Sequence, residues 1–322
     1  MSCRLALIWL MALATMPTYA QAPFELRAEP WRSDFEVLSQ DTQSLRYAGT
    51  LRLTPPEGLP SHRGSWSTLV YLGSHLGFQA TSDRDGHWLS FDVEIEEGEL
   101  SGVQYRDHGQ ILDPNGIGLN NIESMVIAGE LILVGLDESP VLYQLDRHRR
   151  RAIPRFTLPD YHPAGNDGIE AIAVVRPFGP LLPISEKSHN HDDRSRRAWR
   201  LQSGKDAEPM SLPLAISAAP VDATELANGD VVLLHRHYQH GITTIGLSHY
   251  PAGAFTAEDG PGGRPLLLAR SHQLLQALDN FEGIAAFERD GRQYLLLISD
   301  DNIDWQKPGR QNTLLMLIEW LQ

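Results

Sequence analysis

Five short hairpins of similar spacing, a near absence of helical periodicity and an unpaired apolar strand at each end of the chain predict an all-β fold. Set radially with four strands to a blade, they make one β-propeller. Six blades are expected, the last closed by strands from both termini.

The elements follow in chain order. Residues 1–20, MSCRLALIWLMALATMPTYA, carry Arg4, an apolar run from Leu5 to Met16, and a small-residue cleavage site at Thr18-Tyr19-Ala20. This is the pattern of a secretory signal peptide, its apolar run being too short to span a bilayer. Its removal takes the only cysteine, Cys3, and leaves a periplasmic or secreted chain without disulfides. Residues 21–44 are a lead-in segment, and the propeller domain occupies 45–322.

The hairpins begin at "SWSTLVYLGSHLGFQATSDRDG" (65–86) and continue with "NNIESMVIAGELILVGLDES" (120–139) and "DGIEAIAVVRPFGPLLPISEKS" (167–188). "DATELANGDVVLLHRH" (222–237) and "DNFEGIAAFERDGRQYLLLISDDN" (279–302) complete the set. Their heads recur at intervals of about 47 to 58 residues, a propeller's blade period. Outer strands are expected at 87–95, 141–145, 198–202, 242–250 and 264–269, and a single helical turn around Leu274, Leu275 and Leu278. Strands at 45–56 and 313–321 remain to build the closing blade.

Acidic residues outnumber basic ones 41 to 27, for a formal net charge of -14. Such a surface repels nucleic acid and anionic membrane, and no further segment is apolar enough for membrane insertion. A small-molecule substrate and a monomeric chain are expected. The nucleophile elbow is missing: Gly73-Ser74-His75-Leu76-Gly77 puts serine second, and Gly246-Leu247-Ser248-His249-Tyr250 lacks the final glycine.

Chemistry concentrates where the repeats carry charge. Glu123, Glu170, Glu225 and Glu282 stand at strand heads, with Ser67 in the first copy; Asp83, Glu138, Glu186 and Asp300 stand at the ends of the partner strands. Innermost strands line a common channel, so these side chains are expected to converge at one mouth. A ring of hard oxygens suits calcium, which gives Glu123, Glu138, Glu170, Glu186, Glu225, Glu282 and Asp300 as candidate ligands. The same carboxylates could instead stitch blade to blade by accepting backbone hydrogen bonds from the next blade and pairing with Arg84, Lys187 or Arg236. Glu282, Asp300 and His235 are the candidate catalytic groups, and Arg84, Lys187, Arg236 and His237 the candidate grips for an anionic, phosphorylated substrate. His189, His191, Asp192 and Asp193 form a second cluster, which reads as a solvated loop.

The strings "NFEGIAAF", "LLLISDDN", "GIEAIAVV" and "NNIESMVI", with Gln311-Asn312-Thr313-Leu314-Leu315 after them, resemble the bacterial phytase-like family, "esterase-like activity of phytase". The resemblance spans roughly residues 45–321 and implies an exported, metal-binding propeller with hydrolytic activity. Two departures stand out: Ser65-Trp66-Ser67-Thr68 replaces a Gly-Leu-Ser-Gly-like opening, and His235-Arg236 a Glu-Arg pair. Three functions stay open: a calcium-assisted phosphoester or ester hydrolase, a non-catalytic binding scaffold, and a regucalcin-like lactonase.

Overall fold

Asp290 and Gly291 take φ of 52° and 72°, and Arg289 pairs directly with Arg292 across them. Positive φ at both central residues matches a two-residue turn to the twist of its strands, so the Asp-Gly pair makes this hairpin. The computed structural model describes residues 26–31, 35–54, 64–146, 151–163, 167–175, 180–188, 194–202, 204–240, 242–255, 262–271, 278–302 and 311–322. The signal peptide, the 189–193 cluster, Leu274 and Leu275 lie outside them.

In chain order, β1 (Arg27–Pro30), β2 (Glu36–Gln40) and β3 (Leu45–Thr54) precede blade 1, formed by β4 (Trp66–Tyr71), β5 (Phe78–Ser82), β6 (His87–Glu96) and β7 (Glu99–Gln110). Blade 2 holds β8 (Ile122–Ala128), β9 (Leu131–Leu136), β10 (Val141–Leu145) and β11 (Ala152–Thr157). Blade 3 holds β12 (Ile169–Val174), β13 (Leu181–Ser188), β14 (Ser195–Arg200) and β15 (Glu208–Pro213). Blade 4 holds β16 (Ala219–Glu225), β17 (Val231–Gln239), β18 (Ile242–Tyr250) and β19 (Arg264–Arg270). Blade 5 holds β20 (Asn280–Arg289), β21 (Arg292–Asp300) and β22 (Thr313–Trp320), with β3 as its fourth strand. Every described element is a strand.

The propeller therefore has five blades, not six. The expected joining of the two termini does occur, as β22 beside β3, but inside the blade of the last hairpin. Counting the terminal strands as a separate blade was the error, because the 280–300 hairpin has no other outer strands. The lead-in adds a fifth strand to two sheets: β1 pairs with β3, and β2 with β19. Both cover edges that would otherwise offer unpaired backbone groups.

Packing gives the same count. Five buried apolar clusters each span one junction between neighbouring blades; Phe78, Phe91 and Phe287 meet between blades 5 and 1, and Tyr161 and Trp199 between blades 2 and 3. The inner parts of the sheets thus bury both faces, which explains why β22 is buried at every position. The innermost strands β4, β8, β12, β16 and β20 each touch the innermost strands on either side, closing the ring.

Candidate functional site

Each innermost strand breaks register once, near its start: between Trp66 and Thr68, Ile122 and Ser124, Ile169 and Ala171, Pro220 and Asp222, and Phe281 and Gly283. A bulge leaves one residue out of the ladder and re-aims its side chain. The bulged residues are Ser67, Glu123, Glu170, Val221 and Glu282. In each partner strand the residue that follows the bulge pair is charged: Asp83, Asp137, Glu186, Arg236 and Asp300. Main-chain bonds hold three of these, from Asp83 N to Ser65 O at 3.0 Å, Asp137 N to Asn121 O at 2.9 Å and Glu186 N to Gly168 O at 3.2 Å. Arg236 and Asp300 pair with Ala219 and Asn280.

These positions meet electrostatically at one mouth of the channel. Burial first, then the charges of Glu282, Asp83, Asp137 and Asp300, raise the Glu123 carboxyl well above its ordinary range. Glu170 rises for the same reasons, burial first and then Glu123, Glu186 and Glu282, with Arg236 opposing. Burial also leads the upward shifts of Asp137, Glu186, Glu282 and Asp300, and pushes Asp83 to about 6. The ring thus holds Asp83, Glu123, Asp137, Glu170, Glu186, Glu282 and Asp300 around one guanidinium, Arg236.

Asn280 organises the charged side of the ring. Its Oδ1 accepts from Arg236 Nη1, while its Nδ2 donates to Glu282 Oε1 at 2.8 Å and to Asp300 Oδ2 at 3.3 Å. Arg236 Nη1 stands 2.9 Å from Glu282 Oε1. Glu170 is the least exposed of the ring's glutamates. It is only 8% exposed, and among the described residues no hydrogen bond or ion pair reaches its carboxylate. Asp83 Oδ1 and Asp137 Oδ1 are buried without a hydrogen-bond partner among the described residues.

Besides the Arg236–Glu282 pair, which links blades 4 and 5, other side chains stitch blade to blade. Asp222 Oδ2 accepts from Ile284 N at 2.7 Å, and Thr224 Oγ1 accepts from Ala286 N at 2.8 Å. Ser67 Oγ donates to Ile122 O, and Ser124 Oγ to Ile169 O. Asp301 joins blade 5 to blade 1, accepting from Ser65 N at 2.9 Å and from Thr313 Oγ1 at 2.9 Å. Gly64 permits that approach, since a Cβ there would lie 2.0 Å from Asp301 Oδ1. Asp279 binds Asn312 N at 2.7 Å and Gln311 Nε2 at 3.1 Å, so much of the Gln-Asn-Thr motif serves ring closure.

Three sequence-derived positions need correction. Glu225 lies at the far end of β16, paired with Val231, and the equivalent of Glu123, Glu170 and Glu282 is Val221. Aligning the acids hid a "PVD" segment whose bulge carries no charge. Glu138 is exposed, one residue beyond the ring, and Asp137 takes the place assigned to it. The shared pattern of Ser82-Asp83, Leu136-Asp137, Ser185-Glu186 and Ser299-Asp300 was the available signal. His235 is fully buried and outside the ring: Nε2 meets Ser248 Oγ at 2.6 Å and Nδ1 meets Ala218 O at 3.2 Å. Burial lowers its pKa to about 4. Arg84, Lys187 and His237 are exposed, each one residue past a ring position.

The ring's donors are hard oxygens, Asp83 and Asp137 each keep a buried oxygen without a hydrogen bond among the described residues, and its charge is unbalanced, so its chemistry fits a hard cation. No coordination shell is preassembled: among the described residues no three or more His, Cys, Asp and Glu side chains stand grouped to hold a metal ion.

The family described as "Phytase-like: Esterase-like activity of phytase" matches residues 61–303. No curated protein matches the sequence. The catalytic domain of a GH62 α-L-arabinofuranosidase from Coprinopsis cinerea is 15% identical over 86% of this chain and 98% of its own, with a TM-score of 0.45. Glutaminyl cyclase from Myxococcus xanthus is 10% identical over 94% of this chain and 100% of its own, with a TM-score of 0.43. Likenesses this distant say nothing of the chemistry at the mouth.

Proposed function

From the premise that this chain belongs to the phytase-like family, we propose that it is an exported, monomeric hydrolase that cleaves a phosphoester or carboxylic ester of a small molecule at the carboxylate mouth, assisted by calcium. Glu170 carries this reading. A buried carboxylate with no hydrogen bond or ion pair among the described residues costs stability, and the stitching that would make it structural is done by Asp222, Thr224, Ser67 and Ser124.

Calcium held by Glu123, Glu170, Glu282 and Asp300, with Asp137 and Glu186 beside them, would supply positive charge against the substrate's oxygens. Arg236, with the exposed Arg84, Lys187 and His237 outside it, grips the anionic group. Asp83, at about 6, can be either acid or base near neutrality. In phosphoester cleavage a water oxygen bonds to phosphorus as the bond to the leaving oxygen breaks. The water's proton passes to an ionised ring carboxylate, and a protonated one returns a proton to the departing alcohol.

Calcium titration by calorimetry, together with a panel of phosphomonoesters and carboxylic esters assayed with calcium and with chelator, tests the proposal. Turnover should depend on calcium and vanish in Glu282→Gln. If the wild type neither binds calcium nor turns over any ester, the enzyme reading fails and the non-catalytic scaffold stands, a reading that draws on the lack of a preassembled shell. Export is tested separately: intact Met1 or Cys3 in the native protein, seen by mass spectrometry, would contradict it.

A further inference from the structure

We propose that Tyr238 is a specificity-determining residue, an aromatic platform above the mouth that selects esters of alcohols with a flat apolar face. The substrate class rests on the hydrolase reading; the geometry does not. β17 and β18 stay in register beyond the ring, pairing Arg236 with Ile245, His237 with Thr244, Tyr238 with Thr243 and Gln239 with Ile242. Side chains alternate along an unbroken strand, so Tyr238 shares a face with Arg236, and His237 shares the other with His235.

The two faces have different surroundings. Arg236 reaches Asn280 and Glu282 of blade 5, whereas His235 is enclosed by Ala218 and Ser248 of its own blade. Tyr238 therefore overhangs the side of the mouth where Arg236, Glu282 and Asp300 lie, about 7 Å farther along the strand at two residues' rise. It is 67% exposed, so its ring contributes little to the core and is open to a ligand. Tyrosine offers a large amphipathic contact at little entropic cost. A guanidinium and an aromatic face at this spacing suit an anionic ester group joined directly to a six-membered ring, and give no advantage to a short alkyl ester.

The probes are phenyl phosphate and methyl phosphate, titrated calorimetrically with calcium present into wild type, Tyr238→Ala and Tyr238→Phe. Wild type and Tyr238→Phe should bind phenyl phosphate about five-fold or more tighter than methyl phosphate, and Tyr238→Ala should lose that preference while holding methyl phosphate within about two-fold. A preference that survives in Tyr238→Ala, or equal binding of both probes by the wild type, overturns this inference alone. Failure of the wild type to bind either phosphate overturns it together with the phosphate reading of the mouth. Turnover is measured apart, so loss of the hydrolase reading is distinguishable from loss of the platform.

Discussion

Arg236 Nη1 lies 2.9 Å from Glu282 Oε1, and this pair joins blade 4 to blade 5 at the one ring position where a cation replaces a carboxylate. Glu282, Glu170, Glu186 and Asp300 all act on Arg236 and keep its guanidinium charged despite burial. Replacing it by glutamine leaves those acids without a counter-charge. Arg236→Gln is expected to lose about 2–3 kcal/mol, less than a fully enclosed pair because both side chains retain some solvent. The loss should be larger at pH 8 than at pH 5, where the acids are more fully protonated. Urea unfolding at the two pH values checks both points.

Glu170→Gln should move the other way. Its carboxylate is buried, raised by desolvation and by Glu123, and makes no hydrogen bond or ion pair among the described residues. Removing its charge relieves repulsion, so the variant should be more stable than wild type by about 1 kcal/mol at pH 8 without calcium. Calcium affinity should fall about tenfold or more. A destabilised Glu170→Gln that binds calcium normally would make this residue structural.

Asp83 makes a pH-dependent claim. Its folded pKa, about 6, exceeds the ordinary 3.8, so the folded state binds the proton more tightly. The stability it contributes is complete below pH 4 and is lost as pH rises through about 6, up to about 3 kcal/mol. His235 runs opposite: lowered to about 4, its contribution is present above pH 6.5 and is lost as pH falls. The two offset each other between pH 4 and 6.5. In Asp83→Asn, stability across that window should therefore rise more steeply with pH than in wild type, as followed by thermal unfolding.

Asp222→Ala isolates stitching from chemistry. It removes the buried carboxylate that accepts from the amides of Ile284 and Ala223 at 2.7 and 2.8 Å. A loss of about 2–4 kcal/mol is expected, with calcium affinity unchanged at temperatures where the variant is folded. Parallel losses of stability and calcium affinity at such temperatures would mean that the stitch and the ring act as one unit.

Local chemistry was enough to determine the hairpins. Alternating apolar residues, the Asp290-Gly291 turn and the period of the repeats specify five inner pairs of strands, because each depends on neighbours a few residues apart. The carboxylates Glu123, Glu170, Glu186, Glu282 and Asp300 were legible for the same reason, as repeated letters at strand ends. Blade number was decided by a partnership that no local pattern encodes: Leu314 and Leu315 of β22 lie beside Arg52 and Leu51 of β3, more than 200 residues away. Register likewise waited for the fold. A single bulge shifts which residue faces the mouth, so it separates Asp137 from Glu138, Val221 from Glu225 and Arg236 from His235, pairs that differ in position by one to four residues. The charge of each side chain is written in the chain; whether it meets water, a neighbour or the ring is set by burial and pairing between blades.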